Sequence, residues 1–142
     1  MKKFLLCLMA TLVLSMSATP LYAKSKLEKR YEYTLRGLKL DKATEAKFAP
    51  VLKAYLTEKK AANQAYDDLK DKYKTMEKAG TLTDAQAKQL LDAKFEAEAK
   101  ELTVKKKYYA EFSKLLKPKK VWYAFDLSND KMSKIEGRDK EE

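Results

Sequence analysis

The chain is 142 residues long, carries 31 Lys and Arg against 21 Asp and Glu for a net charge of +10, and contains no histidine and one cysteine. That length suits a single domain. The composition lacks the side chain that most often acts as acid or base near neutral pH, and without Cys7, which lies in the N-terminal apolar run read below as a cleaved signal, it offers a borderline or soft metal ion only carboxylates. There is also no glycine-rich phosphate cradle and no Gly-x-Ser-x-Gly elbow. No catalytic, cofactor or specific transition-metal site is expected, and the chain reads as a non-enzyme.

At the N-terminus, Lys2 and Lys3 precede an apolar run from Phe4 to Leu14 that gives way to Ser15, Ser17, Thr19 and Pro20 before Leu21-Tyr22-Ala23. This is the anatomy of a secretory signal peptide, and the run is shorter than the roughly 20 apolar residues that span a bilayer. Cleavage is expected after Ala23. The chain then divides into a signal peptide (1–23), one helical domain (24–136) and a charged tail (137–142). Cys7 leaves with the signal. Losing Lys2 and Lys3 leaves 29 basic residues against 21 acidic ones, a net +8. Export to the periplasm separates so basic a chain from nucleic acid, leaving acidic proteins and anionic membrane surfaces as partners. Solubility alone is the plainer reading of the charge.

Glycine and proline are so scarce that their positions carry information. Gly37, Gly80 and Gly137, with Pro118, predict four helical segments. The first covers about Lys24 to Arg36, with Leu27, Tyr31, Thr34, Leu35 and Leu38 clustered. The second begins at the N-cap Asp41 and carries a stripe of Phe48, Leu52, Tyr55, Lys59, Ala62, Tyr66, Leu69, Tyr73 and Met76, in steps alternating four and three. Pro50 is expected to kink it.

The third helix repeats the alternation as Leu91, Phe95, Glu98, Leu102, Lys105, Tyr109, Phe112 and Leu116. An offset stripe of Leu90, Ala97, Val104, Tyr108 and Leu115 makes its apolar face wider than one partner helix covers. The short connection from Ala79 to Thr83 predicts an antiparallel hairpin with arms about 50 Å long. A second copy of the chain, or the outer helices, would cover the excess. The last segment is expected over Lys119 to Glu136, with Val121, Trp122, Phe125, Met132 and Ile135 on one side. Glu96, Glu98 and Glu101 alternate with Lys94 and Lys100 as on a solvated face. No stretch alternates as a strand would.

The start of the third helix, Leu82-Thr83-Asp84-Ala85-Gln86, encodes a capping box. The Thr83 hydroxyl can accept from the Gln86 amide, and the Gln86 side chain from the Thr83 amide. With the signal peptide, the small basic helical chain and the long hairpin, this motif (Leu82, Thr83, Gln86) resembles the Spy/CpxP family of periplasmic LTxxQ proteins. The likeness covers roughly Leu38 to Leu127. Leu38 to Phe48 looks like a degenerate copy of the cap, and Lys105 to Phe112 with Leu116 to Val121 is similar to Bacteroidetes-type members, Pro118 standing where relatives carry a second LTxxQ. The resemblance implies an all-α, cradle-like homodimer of antiparallel hairpins with shorter flanking helices. It also implies ATP-independent chaperoning of unfolded clients, or tuning of an envelope-stress sensor. An accessory regulator docking on an envelope sensor histidine kinase and a Skp-like outer-membrane-protein chaperone are the alternatives.

The client-binding candidates are Lys105, Lys106, Lys107, Tyr108, Lys114, Lys117, Lys119, Lys120 and Trp122. Seven lysines face the single acid Glu111 in this stretch. Flexible cations would draw in acidic segments of an unfolded chain, and amphipathic rings would give sequence-tolerant apolar contact. The plainer alternative is that the cations complement a helix C-terminus and the rings fill the core.

Overall fold

The computed structural model describes residues 23–138 and Lys140. The predicted signal peptide, Cys7 included, lies outside these residues except for Ala23. The described residues form α1 (Lys26–Leu38), α2 (Lys42–Ala79), α3 (Asp84–Leu115), α4 (Pro118–Asn129) and α5 (Met132–Arg138), with no strand among them. The fold is all-α. No described helix is long and apolar enough to cross a membrane.

Local chemistry accounts for most helix ends. At α1, the Ser25 hydroxyl accepts from the Glu28 amide at 3.2 Å and the Glu28 carboxylate accepts from the Ser25 amide at 2.8 Å, a capping box. At α2, Asp41 accepts from the amide and hydroxyl of Thr44 at 2.9 and 2.6 Å. The helix passes Pro50 without a break and ends at Gly80, in the left-handed region at φ 67, where the Thr81 amide reaches back to the Met76 carbonyl at 2.9 Å. Its 38 residues make a rod of about 57 Å. Pro118 opens α4 at a position where its missing N–H costs nothing.

Two glycines differ from expectation. Gly37 lies inside α1, and the left-handed residue that ends the helix is Lys39, at φ 48. A Cβ on Gly37 would stand 2.8 Å from the Leu127 Cδ1, so this glycine marks a close approach of α4 to α1. Gly137 lies within α5, which runs on to Arg138. That arginine's guanidinium stacks 5.0 Å from the centre of the Tyr33 ring, so the expected tail begins later than Gly137.

The last segment is two helices rather than one, turning at Asp130 and Lys131. The Arg30 Nη1 donates to the Ser128 and Asp130 carbonyls at 2.6 and 2.7 Å, satisfying groups that the end of α4 leaves open. The Asp130 carboxylate accepts from the Tyr33 hydroxyl at 2.6 Å and pairs with Lys134 at 2.8 Å. Desolvation raises the Asp130 pKa, but these hydrogen bonds and the charges of Lys134 and Arg138 hold it below the usual range on balance.

Contacts between α2 and α3 rise along one helix as they fall along the other: Phe48 meets Phe112, Tyr55 meets Tyr108, Asn63 meets Glu101 and Tyr73 meets Gln89. The two therefore run in opposite directions. The main core sits at one end of the pair, where Leu38, Phe48, Leu52, Tyr55, Leu56, Tyr108, Phe112, Leu116, Val121 and Ala124 form one cluster beneath α1 and α4. Further along, only Tyr73 and Ala97 are buried.

From Leu90 to Tyr108 the seam along α3 is the offset stripe. Ala97 and Tyr108 are buried and Leu90 and Val104 half-buried, whereas Leu91, Phe95, Glu98, Leu102 and Tyr109 face solvent; at the C-terminal end Phe112 and Leu116 of the first stripe are buried and Leu115 only half-buried. Both stripes share the same period, so periodicity does not choose between them. Each stripe also carries an acid, Glu98 on one and Glu101 on the other. In the structure it is Glu101, on the offset stripe, that lies 3.5 Å from the ammonium of Lys59, the residue that interrupts the α2 seam. Glu101 is therefore not on a solvated face, its side chain being 19% exposed.

A candidate protein-binding surface

The exposed α3 stripe is continuous with α4. Leu91 is 51% exposed, Phe95 60%, Leu102 52%, Tyr109 61% and Trp122 69%. Near Tyr109 the surface sinks into two adjoining hollows that share Tyr109 and Phe125. One is bordered by Lys105 and Lys106, the other by Pro118 and Trp122. Scattered apolar residues on a surface are ordinary, but four large ones on one helix face with an indole beside them form a patch. Trp122 therefore does not share the buried side of its helix, which belongs to Val121, Ala124 and Ser128.

The candidate lysines separate into three groups. Lys105, Lys107 and Lys114 are paired, with Glu101, Glu58 and Glu111, each at 2.7 Å. Lys120 donates to the Leu38 carbonyl at the end of α1, where a cation complements the helix dipole. Lys106, Lys117 and Lys119 are exposed and make no ion pair among the described residues. Lys117 is the N-cap of α4 and Lys119 lies in its first turn. The start of a helix disfavours cations, so dipole compensation explains Lys114 at the end of α3 and fails for Lys119; at Lys117, which also follows the C-cap of α3, the two dipoles oppose each other.

Tyr108 is a core residue rather than a surface one. It is 4% exposed, and its hydroxyl donates to Glu58 at 2.7 Å. Burial, reinforced by that carboxylate, pushes its pKa up to about 12. Thr83 and Gln86, preceded by Leu82, form the encoded capping box, with the Thr83 amide donating to Gln86 at 3.0 Å and the Gln86 amide to Thr83 at 3.2 Å. These three shape the start of α3, far along the chain from the lysines.

Sequence reasoning missed the polar joint beneath this surface. The Asn63 side-chain amide donates to the Lys59 carbonyl at 2.9 Å and to Glu101 at 2.8 Å, while Lys59 also donates to the Asn129 side chain. Burial pulls the Lys59 pKa down and Glu101 partly restores it. For Glu101, desolvation is outweighed by hydrogen bonds from Lys105 and Asn63 and by the charges of Lys59 and Lys105, so its pKa is lowered. Among the described residues no three histidine, cysteine or carboxylate side chains converge as a metal site would require.

No family model matches the chain, and neither a curated protein nor a solved structure matches it.

Proposed function

We propose that this chain is an exported, ATP-independent chaperone of the Spy/CpxP type that holds unfolded or partly folded proteins against the outer face of α3 and the start of α4. The observation that carries the reading is the exposed line of Leu91, Phe95, Leu102, Tyr109 and Trp122, flanked by the unpaired cations Lys106, Lys117 and Lys119. Aromatic and aliphatic side chains give contact that tolerates any client sequence, and the cations draw in acidic segments. Lys119 stands in the first turn of α4, where the helix dipole disfavours it, a local cost that an anionic partner would offset. In this reading α2 and α3 form the hairpin of a cradle-like homodimer in the periplasm, after cleavage at Ala23.

The test is aggregation of a chemically denatured client followed by light scattering, without nucleotide. The parent protein is expected to slow aggregation near a one-to-one ratio. Phe95→Ser/Leu102→Ser, at sites that already face water, should remove most of that protection while leaving the circular dichroism unchanged. Lys106→Gln/Lys117→Gln/Lys119→Gln should flatten its salt dependence. A parent that gives no protection at several-fold excess overturns the reading. Capture of one stoichiometric membrane protein from envelope extract, in place of many clients, would replace it with the sensor-kinase regulator.

A further inference from the structure

A second concavity, of about 500 Å³, opens between α1 and α2 beside the α4–α5 turn, and no residue of α3 lines it. Its apolar lining comes from Leu27, Leu56 and Met132; its charged lining is Lys26, Arg30, Lys59 and Lys60 against the single carboxylate of Asp67. Lys59 is already committed to Glu101 and Asn129. Lys26, Arg30 and Lys60 make no ion pair among the described residues, Arg30 being held only by the main-chain carbonyls of Ser128 and Asp130. Lys26 and Lys60, with Arg30, whose charge Asp130 partly offsets, thus stand around an apolar floor of a volume typical of small-molecule sites.

The polar groups in the cleft favour one class of occupant over another. Asn63 is engaged with Lys59 and Glu101, and the helical walls bond their main-chain groups internally. A peptide backbone laid on this floor would leave its own N–H and C=O groups without partners, which is costly away from water. A hydrocarbon chain needs none.

We propose that the cleft binds a single-chain anionic amphiphile, a long-chain carboxylate whose head lies among Lys26, Arg30 and Lys60 and whose tail lies on Leu27, Leu56 and Met132. This stands apart from client binding on α3, since the cleft contains none of the exposed α3 residues and meets the adjoining hollow only at Asn129.

Titration calorimetry of the purified chain with dodecanoate, below the concentration at which it forms micelles, tests this directly. One saturable site is expected, with dodecyltrimethylammonium, of the same tail and opposite head, binding at least about tenfold more weakly. Lys26→Gln/Lys60→Gln should weaken dodecanoate by about tenfold, the effect of losing two partly screened ion pairs, while Phe95→Ser/Leu102→Ser should leave it unchanged. Equal affinity for the two head groups, full affinity in the Lys26→Gln/Lys60→Gln variant, or loss of binding in the α3 variant would each overturn the proposal. So would a short apolar peptide with a free carboxylate that competes at the site more tightly than dodecanoate.

Discussion

Tyr55 is fully buried among Tyr108, Phe112 and Phe125, with ring centres 5.4, 5.5 and 5.5 Å away. Its hydroxyl has no hydrogen-bond partner among the described residues; the neighbouring Ser128 hydroxyl donates instead to the Phe125 carbonyl at 2.9 Å. An unsatisfied buried hydroxyl costs about 1–3 kcal/mol, and Tyr55→Phe removes it while keeping the ring contacts. The variant should therefore gain about 1 kcal/mol, a rise in Tm of about 4 °C for a domain of this size.

The same residue sets an alkaline signature. Burial pushes the Tyr55 pKa up to about 12, with the nearby Ser128 hydroxyl pulling slightly the other way; an unfolded tyrosine ionises near about 10. A pKa raised by folding means stability that is complete below the unfolded value and is lost as pH climbs through the folded one. At about 1.4 kcal/mol per pH unit, Tyr55 removes on the order of 2–3 kcal/mol across that window. The advantage of Tyr55→Phe should widen accordingly, with Tyr108 shifting both proteins alike. Urea denaturation followed by far-ultraviolet circular dichroism, from neutral pH upward, measures both effects. A variant about 1 kcal/mol less stable than the parent at neutral pH would refute the reasoning, because the hydroxyl would then have a partner.

Glu101→Gln strands the Lys59 ammonium, 18% exposed at the helix contact, and should cost about 2 kcal/mol by denaturant midpoint; Lys59→Met/Glu101→Leu should recover most of it, since an apolar pair fits where a half-buried ion pair stood. Thr83→Ala should cost about 1 kcal/mol through loss of the α3 cap, measured the same way. Lys119→Glu places a carboxylate in the first turn of α4 and should raise stability by about 0.5 kcal/mol while weakening retention of an acidic client on an affinity column. Glu101 and Asp130 have folded pKa values below their unfolded ones. The stability they add is therefore present above about pH 4.3 and falls away as the solution is acidified through and below that value, which an acid titration of ellipticity would record.

Helix identity and most boundaries were legible because they rest on local chemistry. Asp41, Thr83, Gly80 and Pro118 act on their own backbone within a turn, so their sequence neighbours suffice to read them. The boundaries that differed depend on distant residues. Gly37 serves Leu127 and not its own helix end, and the α4–α5 turn is held by Arg30 without a glycine or proline to announce it. For the candidate site, the residue types were readable but their placement was not. Lys105 and Lys107 are bound to acids that lie far from them in the sequence or one turn away, and Tyr108 exchanged places with Tyr109 because two equally periodic stripes run down α3. A lysine in the α2 seam demands a facing acid, but each stripe offers one, Glu98 on the first and Glu101 on the offset one, so this demand does not separate them either.

The uneven burial along α2 and α3 has a mechanical side. The helices are anchored where the aromatic cluster, α1 and α4 converge; beyond that root the Lys59–Glu101–Asn63 joint, Ala97 and lastly Tyr73 with its bond to Gln89 tie them, and past Tyr73 no large side chain of either helix is buried. The molecule is a cantilever. Amide protons near Gly80 should exchange through small openings that leave the root intact, while those around Phe48 and Phe112 wait for global unfolding. A polypeptide resting on Phe95 would thus meet a yielding arm, and one reaching Trp122 a rigid base.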